Sequence, residues 1–153
     1  MLGTLDDSDI EDLLKTERFG RIGCSSQDRA YVVPISYAYD GEAVYGHSID
    51  GLKLKMMREN PEVCFQIDSV EAVNNWRSVI AWGRYEELTG PDAMRGLKLL
   101  MARFSSLLGL DPNAPPPPHG PRAVGHGHAA GMPADAFVYR IVLREKTGRF
   151  ERV

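Results

Sequence analysis

The chain has 153 residues, a formal net charge of −3 and 25% charged residues. That length suits one domain, 1–153, with a sizeable core, and the charge leaves no basic field to attract nucleic acid or an anionic membrane. The opening MLGTLDDSDIEDLL is acidic and lacks the basic-then-apolar pattern of a secretory signal. No apolar run is long enough to span a bilayer, so the expected setting is the cytoplasm.

In chain order, Asp6 to Thr16 reads as a short amphipathic helix with Ile10, Leu13 and Leu14 as its apolar stripe. Ser8 and Glu11 can form a capping box there. Phe19 to Ser25 reads as a strand, and Gln27-Asp28-Arg29 as a turn. Tyr31–Tyr39 (YVVPISYAY) and Ala43–Ser48 (AVYGHS) flank Asp40-Gly41, the clearest hairpin signal in the chain. Pro34 inside the first arm cannot donate to a ladder, so it marks an edge, a bulge or a ligand contact.

Leu52 to Glu59 is a short helix closed by Asn60-Pro61. Val63–Val70 and Trp76–Leu88 are strands, with Gly83 marking a bulge or bend. Pro91 opens a long helix, Asp92 to Leu108, whose Met/Leu/Phe stripe reads as a core or dimer face and which Gly109 ends. The Pro/Gly/His-rich stretch 111–133 reads as a long loop or substrate lid. Ala136–Glu145 is a last strand, with Lys146-Thr147-Gly148 a turn beyond it. The elements together predict a mainly β fold with flanking helices, five or six strands in a small antiparallel barrel. Cys24 and Cys64 each sit in an apolar strand-like run and read as buried free thiols, with a disulfide between them as the alternative. No histidine stands at ligand spacing from either, so no metal site is expected on them.

Two clusters carry chemistry. The first is GHSIDGLK, Gly46 to Lys53. A strand leaves the sheet at His47-Ser48, Gly51 allows a tight turn, and Leu52 starts a helix whose first N–H groups lack intrahelical partners. Such a terminus is a ready anion site. Lys53 stands in the first helical turn, where the macrodipole repels a cation. A bound phosphate would remove that penalty, with Ser48 donating its hydroxyl; the residues alone also leave open a lysine that points outward. The second cluster is Asn74-Asn75-Trp76-Arg77-Ser78-Val79. Trp76 and Ser78 share a strand face, which suits a planar ligand with a polar edge and equally a core tryptophan.

The ordered succession Arg21–Gly23, Tyr31–Tyr37, Asp40–Lys53, Asn60–Phe65 and Trp76–Gly83 resembles the pyridoxamine 5'-phosphate oxidase-like flavoproteins, and within them the nitroimidazole-resistance reductase branch. The resemblance implies a six-stranded FMN-binding split β-barrel and a homodimer with flavin at the subunit interface. It implies that Val33, Pro34, Ile35 and Ser36 line the isoalloxazine, largely through backbone groups. His47 would lie near the ring or substrate, and Ser48, Gly51 and Lys53 at the phosphate. Trp76, Ser78 and Val79 would complete the pocket. The basic pattern with which true pyridoxamine phosphate oxidases hold their substrate is not found, so vitamin B6 is not the expected substrate.

The resulting expectation is a flavin-dependent reduction of a small planar substrate, nitroaromatics included, with His47 as proton donor or substrate anchor. No Ser-His-Asp or paired-carboxylate set is visible. A haem-binding split barrel is an alternative, with His47, His119, His126 and His128 as candidate ligands. So is a non-enzymatic FMN store or sensor. GHGHAA matches a dinucleotide fingerprint but follows a polyproline run instead of a strand, and is set aside.

Overall fold

The computed structural model describes residues 1–109 and 136–153. Its elements are β1 (Leu2–Thr4), α1 (Asp7–Thr16), β2 (Phe19–Ser26), β3 (Arg29–Ser36), β4 (Ala38–Tyr39), β5 (Ala43–Ser48), α2 (Leu52–Glu59), β6 (Glu62–Ala72), β7 (Asn75–Glu87), α3 (Gly90–Leu107) and β8 (Phe137–Glu151). The strands form one antiparallel sheet in the order β3-β2-β6-β7-β8-β5-β4, with β1 added beside β8. Eight strands among the described residues replace the six expected. The two extra ones, β1 and β4, are three and two residues long and too short to register as periodic patterns.

The two ends of the sheet, β3 and β4, are successive pieces of the same chain segment, interrupted at Tyr37. The sheet therefore nearly closes on itself and splits where the chain steps from one piece to the other. Tyr37 turns its ring into the core, edge-on to Phe65 at 5.0 Å, and its hydroxyl donates to the Leu14 carbonyl at 2.7 Å. This break corrects the expected hairpin. Only Ala38–Tyr39 pairs with β5 across Asp40-Gly41. The long hairpin is β2–β3, turned by Gln27 (φ 52°) and Asp28 (φ 61°), a left-handed pair without glycine.

Strand alternation sets two faces. On β7, Val79, Ala81 and Tyr85 are buried, whereas Ile80 and Trp82 are each 41% exposed. The inner face packs on α1 and α2 around Ile22, Leu14, Leu54, Phe65, Ile67 and Ile141. A second cluster of Tyr45, Leu88, Leu100 and Val138 lies under α3. Of the α3 stripe, Leu100 is fully buried while Met94 and Leu108 are exposed.

Three local expectations are corrected. The cap of α1 is Asp6, whose carboxylate accepts from the Asp9 N–H at 2.8 Å, so Ser8 is already helical. The last strand does not turn at Thr147-Gly148 but runs on to Glu151, paired with β7 and β1. Gly148 is there for packing: a Cβ on it would come within 2.8 Å of Leu5 and 3.0 Å of Ile10. Cys64 pairs with Gly23, so Cys24 and Cys64 point to opposite faces; both are free, and Cys64 is only half-buried. The bulge at Gly83 is present, as a register shift against β8 between Trp82 and Gly83.

Candidate functional site

β5 delivers His47 and Ser48 to the point where the chain leaves the sheet, and α2 begins four residues later. Gly51 is the N-cap of α2, with φ −177°, an extended conformation open to any residue. The expected glycine turn is thus not what this position supplies. What it supplies is a helix end with no side-chain cap and no acidic residue in its first turn. The leading N–H groups of α2 keep their hydrogen-bonding capacity for something else.

Lys53 stands in that first turn, half-buried, and makes no ion pair among the described residues. Burial pushes its pKa down, with the Cys24 thiol opposing weakly. A half-buried ammonium at the positive end of a helix is unfavourable unless an anion joins it. Ser48 Oγ donates to the Ile49 carbonyl at 2.8 Å, a contact that a rotation of the hydroxyl exchanges for an external acceptor. Arg58, readable from sequence as solvated surface, instead ties this loop down. It donates to Asp50 at 3.0 Å and to Glu87 at 2.6 Å, and its guanidinium lies 4.9 Å from the Phe137 ring.

His47 lies on the face of β5 that α3 covers, edge-on to Phe104 at 5.8 Å. Its Nδ1 is buried with no hydrogen-bond partner. Burial, and secondarily the Lys53 charge, pull its pKa below the ordinary value of 6.5, so the imidazole is neutral at neutral pH. A neutral imidazole suits an anchor better than an acid. The other three histidines of the haem alternative, and the expected lid at 111–133, lie outside the described residues. Among the described residues no group of three metal-ligating side chains is brought together.

On β3, Val33 packs against the core and Ile35 is buried within it, while Pro34 and Ser36 face outward. Val33 and Ile35 can meet a ligand only through their backbone. β3 ends the sheet, so Pro34 sits on an edge strand, as its missing N–H demands.

Trp76 and Ser78 also lie on the outer face. The Trp76 indole N–H donates to Glu151 at 3.1 Å, and Ser78 Oγ accepts from Gln66 Nε2 at 3.1 Å. Val79 is fully buried, so its side chain does not join them. Trp76 pairs with Glu151 and His47 with Val138, at opposite ends of β8. The two clusters are not brought together within one chain.

Sequence reading missed the residues between Pro34 and Ser78. Pairing sets Pro34, Arg21, Gln66 and Ile80 side by side across β3, β2, β6 and β7. Beside them Val32 is 67% exposed and Trp82 41%, bordering a groove of about 400 Å³ with Tyr31 and Cys64. The period-two pattern of each strand held the signal; which strands adjoin did not show in it.

Fold and site together define a split β-barrel with an uncapped, lysine-bearing helix end and an exposed, partly apolar sheet face. The chain belongs to the pyridoxamine 5'-phosphate oxidase family, whose model matches residues 6–116. It is 25% identical to a FAD-binding protein from Mesorhizobium loti, with TM-score 0.74 over 100% of this chain and 98% of that one. A 5-nitroimidazole antibiotic resistance protein from Bacteroides thetaiotaomicron shares the fold at 17% identity, with TM-score 0.70 over 98% of this chain and 89% of that one. An uncharacterized protein from Rhizobium meliloti is 43% identical over 68 residues, covering 44% of this chain. That match spans 45% of the relative's own length. Among the described residues no helix is long and apolar enough to cross a membrane.

Proposed function

We propose that this chain is a single-domain flavoprotein that binds FMN between two copies of itself and reduces a small planar substrate, nitroaromatics included, in the cytoplasm. The observation that carries the reading is Lys53, half-buried at an uncapped helix N-terminus and without a carboxylate partner among the described residues. One lysine and one helix end suit a single terminal phosphate, which favours FMN over a dinucleotide. Family membership and the FAD-binding neighbour support a flavin as the class of ligand.

The separation of the Lys53 and Trp76 clusters supports a paired arrangement. In it, Lys53, Ser48 and the α2 terminus hold the phosphate, the backbone of Val33–Ser36 flanks the ring, and the Trp76–Ser78 face of the second copy closes the pocket. The exposed Val32, Ile80 and Trp82 give that face apolar area to bury. When bound, the flavin supplies the electron transfer. The chain orients the ring, excludes water from one side of it, and offers the neutral His47 imidazole as a hydrogen-bonding anchor for substrate.

The test is a visible spectrum of the purified protein, with the chromophore released by heat and identified by mass. FMN in the parent, lost in Lys53→Ala and weakened in Ser48→Ala, supports the reading. A Soret band, or no uptake of added FMN, refutes it. Full FMN with no reductase activity toward any of a panel of acceptors would leave a flavin store or sensor.

A further inference from the structure

We propose that Arg21 and Ser78, set in place by Gln66 between them, form a donor strip on the outer face that receives the acceptor edge of the bound flavin ring, and that the Arg21 charge raises the reduction potential of that ring. The inference rests on the flavin reading above and adds to it two residues in named roles.

The strip is ordered by its own hydrogen bonds. Gln66 Nε2 lies 3.0 Å from Asp68 Oδ2 and 3.1 Å from Ser78 Oγ, and Gln66 Oε1 accepts from Arg21 Nη1 at 3.4 Å. Flipping the amide would set its oxygen against a carboxylate and its NH2 against a guanidinium, so only one orientation is consistent with both neighbours. Ser78 Oγ is thereby an acceptor toward Gln66, which leaves its own O–H to donate to a ligand. Arg21 is about half exposed and lies 3.6 Å from Asp68. Its fork carries five N–H groups, and Gln66 takes one. With the Gln66 NH2 spent on Asp68, Ser78 and the Ile67 carbonyl, what the strip offers outward is the remaining Arg21 N–H groups, the Ser78 O–H and a positive charge.

The surroundings suit a flat ligand. Pro34 adjoins Arg21 on one side, and Ile80 adjoins Gln66 on the other. Phe19, 63% exposed, shares with Arg21 and Asp68 the wall of a hollow of about 340 Å³. One edge of an isoalloxazine carries a carbonyl oxygen and a ring nitrogen as acceptors, and reduction places negative charge there. A cation and fixed donors at that edge favour the reduced form; a carboxylate beside the cation opposes it.

Opposite charge changes should move the potential in opposite directions, which a purely structural role would not do. The experiment is the midpoint potential and absorption spectrum of bound FMN in the parent protein, Arg21→Met, Arg21→Lys, Gln66→Leu and Asp68→Asn. The expected result is a lower potential in Arg21→Met and Gln66→Leu, a higher one in Asp68→Asn, and a parent-like value in Arg21→Lys, which also shows that the site still folds. Unchanged potentials with FMN fully bound would overturn the proposal. So would a raised KM for the electron acceptor with no change in potential, which would assign the strip to substrate. A parent protein that binds no flavin would refute the flavin reading itself, and this proposal with it.

Discussion

His47 pairs with Val138 and Trp76 pairs with Glu151, so thirteen positions of β8 separate the two residues that sequence reading assigns to one pocket. At about 3.3 Å per residue the strand path between them is on the order of 40 Å. A mononucleotide is shorter than that path, and in the proposed pair two copies meeting through the outer face would bring opposite ends together. Charging that face should break the pairing without unfolding the barrel. Ile80→Lys, on the outer face of β7, is expected to sediment as a monomer, keep its far-ultraviolet spectrum and lose FMN. A variant that stays dimeric with full flavin would place the interface elsewhere.

Lys53 should matter to ligand and to apoprotein with opposite sign. Charge-assisted hydrogen bonds contribute roughly 1.5–3 kcal/mol each, so Lys53→Met should weaken FMN binding by about ten- to a hundredfold or more. Burial pushes the Lys53 pKa down, which means that folding disfavours its charged form. The same substitution should therefore leave the apoprotein as stable as the parent or more so. Titration with FMN and thermal unfolding without it give the two readings.

His47 predicts a pH dependence. Its folded pKa lies below the unfolded value of 6.5 because the imidazole is buried and faces the Lys53 charge. The unfolded chain then binds the proton more readily, so this residue's contribution is present above about pH 6.5 and is lost as pH falls through the folded pKa. Thermal unfolding between pH 7.5 and 5 should show that loss, and His47→Gln should flatten the slope. An identical slope in the variant would remove His47 as its source.

Gly148 separates a turn from a packed strand. Its Cβ position is within 2.8 Å of the Leu5 side chain, so Gly148→Ala forces α1 and its leading residues off the sheet. The expected cost is about 1–3 kcal/mol, read from urea unfolding. A glycine in an exposed turn would tolerate alanine with little loss.

Much of the fold was legible because it is local. The α2 boundaries, the uncapped Lys53 turn, the bulge at Gly83 and the shared face of Trp76 and Ser78 all follow from spacing within a dozen residues. What failed depended on distant partners. Thr147-Gly148 carries turn chemistry, yet Leu5 and Ile10 pack over it and β7 pairs with it, so the strand continues. Asp40-Gly41 carries a hairpin signal, yet the inward turn of Tyr37 leaves only two residues to pair there. The Arg21–Gln66 contact joins residues 45 apart and exists only because β2 lies beside β6, which no periodicity records.

In the proposed arrangement, two copies of this chain hold FMN between the Lys53 end of one and the Trp76–Ser78 face of the other. Native mass spectrometry of the purified protein tests it most directly. The expected species is two chains carrying two FMN molecules, with FMN occupancy much reduced in Lys53→Met. A monomer carrying one FMN at full occupancy would contradict it.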